Sequence, residues 1–319
     1  MSEPESDASL YSGFAPVGQV QCTPASVHGK ALPDVVAGRY RIERLLGVGG
    51  MGCVYRARDL LHEQFGDPAP PVALKFLADS LDESPDGAAL LYSEFALTRH
   101  LHHLNVVRLY TFEVDTDCQR AFISMELMQG LTLDRLLCEH PLGLPWHMLR
   151  SIALPLLDAL AHAHQRGVVH GDLKPSNVML CDDGPRLFDF GLGHAEEGMP
   201  GLARLSRTRF NAWTPGYAAA ELLEGAAPSA RSDLFALACV LYELAGGKHP
   251  YRRLPATQAC AEGLERALRA PNNLPRHCWS ALRTALALDA SRRTISASDL
   301  QAVLSRVPFW RPRWQGQWW

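Results

Sequence analysis

The hydrophobic periodicity of this chain changes once, near Gly130, and that change limits the folds open to it. From Tyr40 the residues alternate as strands do, in YRIERLL, GCVYRARDL and PPVALKFL, and again in VVRLYTFEV and RAFISMEL. Between these groups, Leu91, Phe95, Thr98 and Leu101 recur at helical spacing and set Glu94 beside an apolar face. Beyond Gly130 the spacing is helical, most clearly over 149–165 and 233–245, with a long loop over 191–221 between them. DPAPP at 67–71 and residues 79–87 are expected to be loops. A strand-rich first part followed by a helix-rich second part predicts an α+β chain of two lobes, a small antiparallel sheet with one helix and then a mainly helical unit, with a cleft between them.

Composition excludes more than it selects. A chain of 319 residues with 47% hydrophobic residues can build such a two-lobed core. A net charge of −3 offers no broad basic field for nucleic acid. The eight cysteines are scattered and form no C-x-x-C, which fits reduced thiols and a cytoplasmic setting. The start, MSEPESDASL, has neither a basic nor an apolar signal region, and no run of about 18 uncharged apolar residues occurs. The chain is therefore expected to be soluble. Residues 1–38, with little periodicity, read as a disordered leader.

Chemistry concentrates in HGDLKPSN at 170–177 and DFG at 189–191. Transfer of a γ-phosphoryl group spreads charge over oxygens in a loose transition state, so a protein mainly positions and neutralises. Asp172 can orient an acceptor hydroxyl and take its proton, and Lys174 can meet the transferring phosphate. Asn177 and Asp189 supply the amide and carboxylate oxygens that suit Mg²⁺, a hard cation that keeps waters and phosphate oxygens as its other ligands. Upstream, LGVGGMGCV at 46–54 places Gly47, Gly49 and Gly52 in a G-x-G-x-x-G-x-V pattern, and VALK ends in Lys75. A lone G-x-G-x-x-G is weak evidence, and the β-type CVYRAR after Gly52 excludes a dinucleotide-binding turn, which needs a helix there. The order of all the pieces carries the argument.

With these motifs the chain, from about Gly38 to about Arg306, resembles the eukaryotic-like (Hanks-type) serine/threonine protein kinases of the bacterial branch, with HGD in place of the usual HRD. The resemblance implies a kinase domain at 39–306, with an N-lobe at 39–126 and a C-lobe at 130–306. It implies that ATP is the nucleotide, with Mg²⁺, or Mn²⁺ in its stead, on Asn177 and Asp189. Leu46, Gly47, Val48, Gly49, Gly50, Met51, Gly52 and Cys53 would cover the phosphates. Lys75 would hold the α and β phosphates with Glu94 as its helix partner. Val54, Ala73 and Met179 match the positions that sandwich adenine, Met125 the gatekeeper, and Glu126 to Met128 the hinge. The expected acceptors are Ser and Thr hydroxyls of proteins, this chain included.

Lys174 with Thr214 in WTPGY resembles the serine/threonine class, in which that threonine bonds the catalytic Asp and Lys. Glu221 and Arg293 match an ion pair that anchors the peptide-binding loop. Asp233 is expected either to brace the catalytic loop or to cap its own helix. Three positions depart from the family pattern: Ala220 for proline, Trp213 for glycine, and Gly171 for the arginine that meets a phosphorylated loop. Gly171 implies that phosphorylation at Ser206 or Thr208 is not an obligatory switch. HGD also occurs in small-molecule phosphotransferases of the aminoglycoside type, but these carry histidine where Lys174 stands and lack the TPGY segment. A catalytically silent scaffold is the other alternative, and the complete set of Lys75, Glu94, Asp172, Lys174, Asn177 and Asp189 speaks against it. The last residues, 307–319 (VPFWRPRWQGQWW), place four of the seven tryptophans and two arginines in the final ten positions. Such residues suit packing on the chain's own C-lobe, a protein docking element, or a membrane boundary.

Overall fold

The computed structural model describes residues 32–49, 52–66, 71–78, 87–190 and 213–306, and the backbone alone at 194–195. The first lobe is a six-stranded antiparallel sheet built from β1 (Val35–Val36), β2 (Tyr40–Gly49), β3 (Gly52–Asp59), β4 (Val72–Leu77), β5 (Leu109–Val114) and β6 (Ala121–Glu126), ordered β1-β2-β3-β4-β6-β5. Register explains how it makes one functional face. Val54 pairs with Lys75, Lys75 with Ile123, and Ala73 with Met125, so period-two alternation points all five to the same side. Leu74, Phe76 and Phe122 point the other way and bury against Val36, Tyr40 and Ala57. Helix α2 (Gly87–Thr98) covers the functional face through Leu91 and Phe95, which pack on Ile123 and Leu77.

Two details correct the sequence reading. Residues 32–38 were expected in the leader, yet Val36 is fully buried and Asp115 accepts the Ala37 amide at 2.5 Å. A two-residue strand is too short to show alternation, so sequence pattern could not reveal it. Helix α2 ends at Thr98, and Leu101 is buried in the loop after it. A short helix α1 (Leu60–Gln64) also follows β3 directly, capped by the Asp59 carboxylate, which accepts the Leu61 amide at 3.1 Å. The leader before residue 32, the 307–319 tail, Gly50, Met51, Gly191, Ser206 and Thr208 lie outside the described residues.

The second lobe is organised around α4 (Trp146–Gln165) and α6 (Ala230–Gly246), whose apolar residues form one large core. Around them lie α3 (Leu133–Glu139), α5 (Ala220–Leu223), α7 (Ala256–Ala261), α8 (Arg276–Ala285) and α9 (Ala297–Ser305). Ser229, not Asp233, caps α6: its hydroxyl accepts the Ser232 amide while Ser232 reciprocates. Where the lobes meet, β7 (Gly130–Thr132), β9 (Val178–Cys181) and β10 (Gly184–Leu187) form a three-stranded sheet, and β8 (Val168–Val169) pairs with β11 (His194–Ala195). Among the described residues no helix is long and apolar enough to cross a membrane, and none of the seven described cysteines forms a disulfide.

Candidate active site

The cleft has an apolar roof and floor drawn from both lobes. Leu46, Val54, Ala73 and Met125 from the sheet form one buried cluster with Met128, Met179 and Phe188. Leu46 reaches it because the β2–β3 register slips between Leu45 and Gly47, a local bulge that turns an extra residue inward. Cys53 follows the strand alternation to the face opposite Val54 and is not part of this cluster. Gly47, Val48, Gly49 and Gly52 form the described part of the glycine-rich hairpin, with Val48 opposite Cys53 and Gly49 opposite Gly52.

Gly52 is held by close approach. A Cβ there would lie 1.9 Å from the Phe76 carbonyl oxygen, a backbone atom that cannot swing aside. Gly52→Ala is expected to displace the hairpin and raise the KM for nucleotide about tenfold, a loss of binding rather than of turnover. Steady-state kinetics at varied nucleotide concentration measures it, and an unchanged KM would show that the hairpin tolerates the shift.

Below the hairpin, Lys75 is buried between two carboxylates. Its Nζ donates at 2.7 Å to both Glu94 oxygens, and it also bonds Asp189 Oδ1. Burial opposes the lysine's charge, but Asp189 and Glu94 outweigh it and raise the pKa, so the ammonium persists. Burial likewise opposes Asp189, and the attraction of Lys75 wins, holding that carboxylate below its ordinary range. Asp189 takes a left-handed φ of +68°, a region that few non-glycine residues adopt and that is common where a side chain must be aimed. Behind these charges lies a cavity walled by Thr98, Val107 and Phe188, none of them expected from the sequence as a site residue. Phe188 directly precedes Asp189; Val107 lies in VVRLYTFEV, a run legible only as a strand.

The catalytic loop is fixed from below. Asp233 accepts the amides of His170 at 2.7 Å and Gly171 at 2.9 Å, and bonds His164 Nε2 at 3.0 Å. His170 is wholly buried, and burial lowers its pKa, so its neutral ring can donate from Nε2 to the Phe188 carbonyl at 3.1 Å. That ring packs on Phe190 with centroids 4.5 Å apart, tying the catalytic loop to the segment carrying Asp189. His164 was not foreseen, since 69 residues separate it from Asp233.

Asp172 emerges from this frame toward the acceptor side. Lys174 Nζ lies 2.7 Å from Asp172 Oδ2 and 3.0 Å from Thr214 Oγ1, and the Thr214 amide donates to Asp172 Oδ1 at 3.3 Å. Asn177 donates its amide nitrogen to the Asp172 carbonyl at 2.9 Å, which leaves its side-chain oxygen for other work. The loop bearing Thr214 is anchored by Arg293, fully buried and forked onto both Glu221 oxygens at 2.7 and 2.5 Å. Ala220, where relatives carry proline, occupies the first position of α5, so the helix starts there without it. Trp213 is half-buried against the core of the second lobe.

Residues 40–303 match the family model described as protein kinase domain. The chain belongs to the protein kinase family. Relatives of this chain include the DNA damage-responsive serine/threonine-protein kinase RqkA of Deinococcus radiodurans, 38% identical over 68% of this chain and 31% of that protein. Serine/threonine-protein kinase PkaA of Streptomyces coelicolor is 32% identical over 85% of this chain and 50% of that protein. The chain thus spans 31% to 50% of the length of these relatives. The crystal structure of the Mycobacterium tuberculosis PknI kinase domain superposes with a TM-score of 0.61 at 25% identity, covering 85% of this chain and 96% of that one. The two-lobed architecture is therefore the protein kinase fold, and the family acts with ATP and a divalent metal.

Proposed function

We propose that this chain is a serine/threonine protein kinase that transfers the γ-phosphate of ATP to Ser and Thr hydroxyls of proteins, its own included. The single observation that carries this reading is the triangle of Asp172, Lys174 and Thr214, which joins a base, a cation and the acceptor loop within hydrogen-bond distance. The groups a nucleotide needs fit the residues present. A cradle at Gly52 that a Cβ would fill, an apolar slot of Val54, Ala73 and Met179, and a charged Lys75 suit a polyphosphate with a planar base. The hinge, Glu126 to Met128, would offer its backbone to the base edge.

Asp189 and the free oxygen of Asn177 would hold Mg²⁺ or Mn²⁺, which supplies charge neutralisation on phosphate oxygens when bound. Asp172 orients the acceptor hydroxyl and accepts its proton, and Lys174 stands beside it to balance charge on the transferring group. The described cysteines, none of them in a disulfide, suit a cytoplasmic setting. The Trp-rich 307–319 segment is a candidate protein docking element.

The test is incubation of the purified chain with γ-labelled ATP, magnesium and a generic Ser/Thr-containing protein. Label is expected on serine and threonine, and its loss in Lys75→Ala is required. Label on a small molecule only, or on nothing, would overturn the reading.

A further inference from the structure

The acceptor loop runs from Thr214 to Tyr217, and a buried carboxylate holds it. Tyr217 donates to Glu243 Oε2 at 2.5 Å, and Arg253 donates to Glu243 Oε1 from Nη2 at 2.8 Å and from Nε at 3.3 Å. The Glu243 side chain is 4% exposed and that of Arg253 is 63% exposed. Burial, and then the bond to Glu243, push the Tyr217 phenol up, so it remains a donor. Arg253 also packs its backbone on the loop: a Cβ at Gly216 would come within 3.3 Å of the Arg253 carbonyl oxygen. His249 ties the turn by accepting the Tyr251 and Arg253 amides on Nδ1 at 3.1 and 3.0 Å.

That turn is strained. Arg252 and Arg253 take consecutive left-handed φ values of +55° and +59°, which L side chains rarely adopt and which cluster at ligand clamps. The turn sets Arg253 against Gly216 with its guanidinium exposed, and exposed Arg252 adjoins it in the chain. Among the described residues Arg253 commits Nε and Nη2 to Glu243 with Nη1 left over, and the exposed Arg252 side chain has no partner. Glu243 offsets one of the two charges, and the other stands uncompensated beside the loop that bonds Asp172.

We infer that Arg252 and Arg253 are specificity-determining residues that bind an oxyanion, carboxylate or phosphate, on the acceptor protein close to the hydroxyl to be phosphorylated. The inference rests on the kinase reading above. A chain whose hydroxyl meets Asp172 and Thr214 lies beside the loop from Thr214 to Tyr217, on which Arg253 packs. It then meets guanidinium forks, which match carboxylate and phosphate geometry.

The experiment uses the full chain and four peptide sets around one Ser acceptor: neutral flanks, Glu flanks, phosphoserine flanks and Lys flanks. The expected KM for the anionic sets is about tenfold below neutral, with kcat similar, and the advantage shrinks as salt rises. Comparison of the Glu and phosphoserine arms shows which oxyanion is preferred. Arg252→Ala should shrink the advantage about threefold, and Arg253→Lys, which keeps the charge and loses the fork, should keep only part of it. Arg253→Ala should shift preference toward the Lys-flanked set, because Glu243 then faces the peptide. Equal KM across the sets, or an Arg253→Ala variant that loses stability with its peptide preference unchanged, overturns the inference and leaves a structural clamp. Transfer to every peptide without charge preference sinks only this inference; transfer to none sinks the kinase reading with it.

Discussion

Asp172→Asn is expected to lower turnover by about 10²–10⁴-fold, the range supplied by a positioned general base, while nucleotide affinity stays near that of the unaltered chain. The substitution keeps the side-chain shape but removes the proton acceptor. It also sets an amide N–H against one of two donors, Lys174 Nζ at 2.7 Å or the Thr214 amide at 3.3 Å, so the acceptor loop loses a tether as well. Nucleotide binding depends on other elements: Lys75 on β4, Glu94 on α2 and the apolar slot. Single-turnover transfer to a peptide, paired with calorimetric titration of nucleotide, separates the two effects. Turnover within tenfold of the original would mean that Asp172 does not act as the base.

Much of this site was legible because its chemistry is local in sequence. Asp172, Lys174 and Asn177 lie within six positions, and a turn that short brings them together in almost any folded form. Lys75 and Glu94 were legible for another reason: Lys75 ends the VALK motif of a strand, and Glu94 sits beside Leu91 and Phe95 at helical spacing. What stayed hidden was held by long-range or very short elements. Strands β7 to β10 have two to four residues, too few for a period to show. The pairs His164 with Asp233 and Tyr217 with Glu243 join residues far apart in the chain, and no spacing rule links them.

Gly171 shows the difference most clearly. In the sequence it is only the absence of an arginine. In the fold its φ is +85°, in the region that glycine enters freely, while its amide bonds Asp233. The glycine thus relaxes a backbone bend that another residue would strain, so its meaning in the fold is conformational.

That bend makes Asp233 the position with the largest expected structural effect. Asp233→Ala is expected to destabilise the chain by about 3–5 kcal/mol and to abolish transfer even at temperatures where the variant remains folded. The carboxylate is 1% exposed and satisfies two backbone amides and one imidazole, so its removal orphans two buried amides and a half-buried imidazole. Freed of that anchor, the His170–Gly171 segment can drift, and Asp172 with it. A loss of binding at the nucleotide site is not expected, because Lys75, Glu94 and the apolar slot do not contact Asp233. Chemical denaturation gives the stability, and activity assayed below the unfolding transition gives the positioning effect. A variant less stable by this amount but fully active when folded would show that Asp233 supports the fold without aiming the catalytic loop.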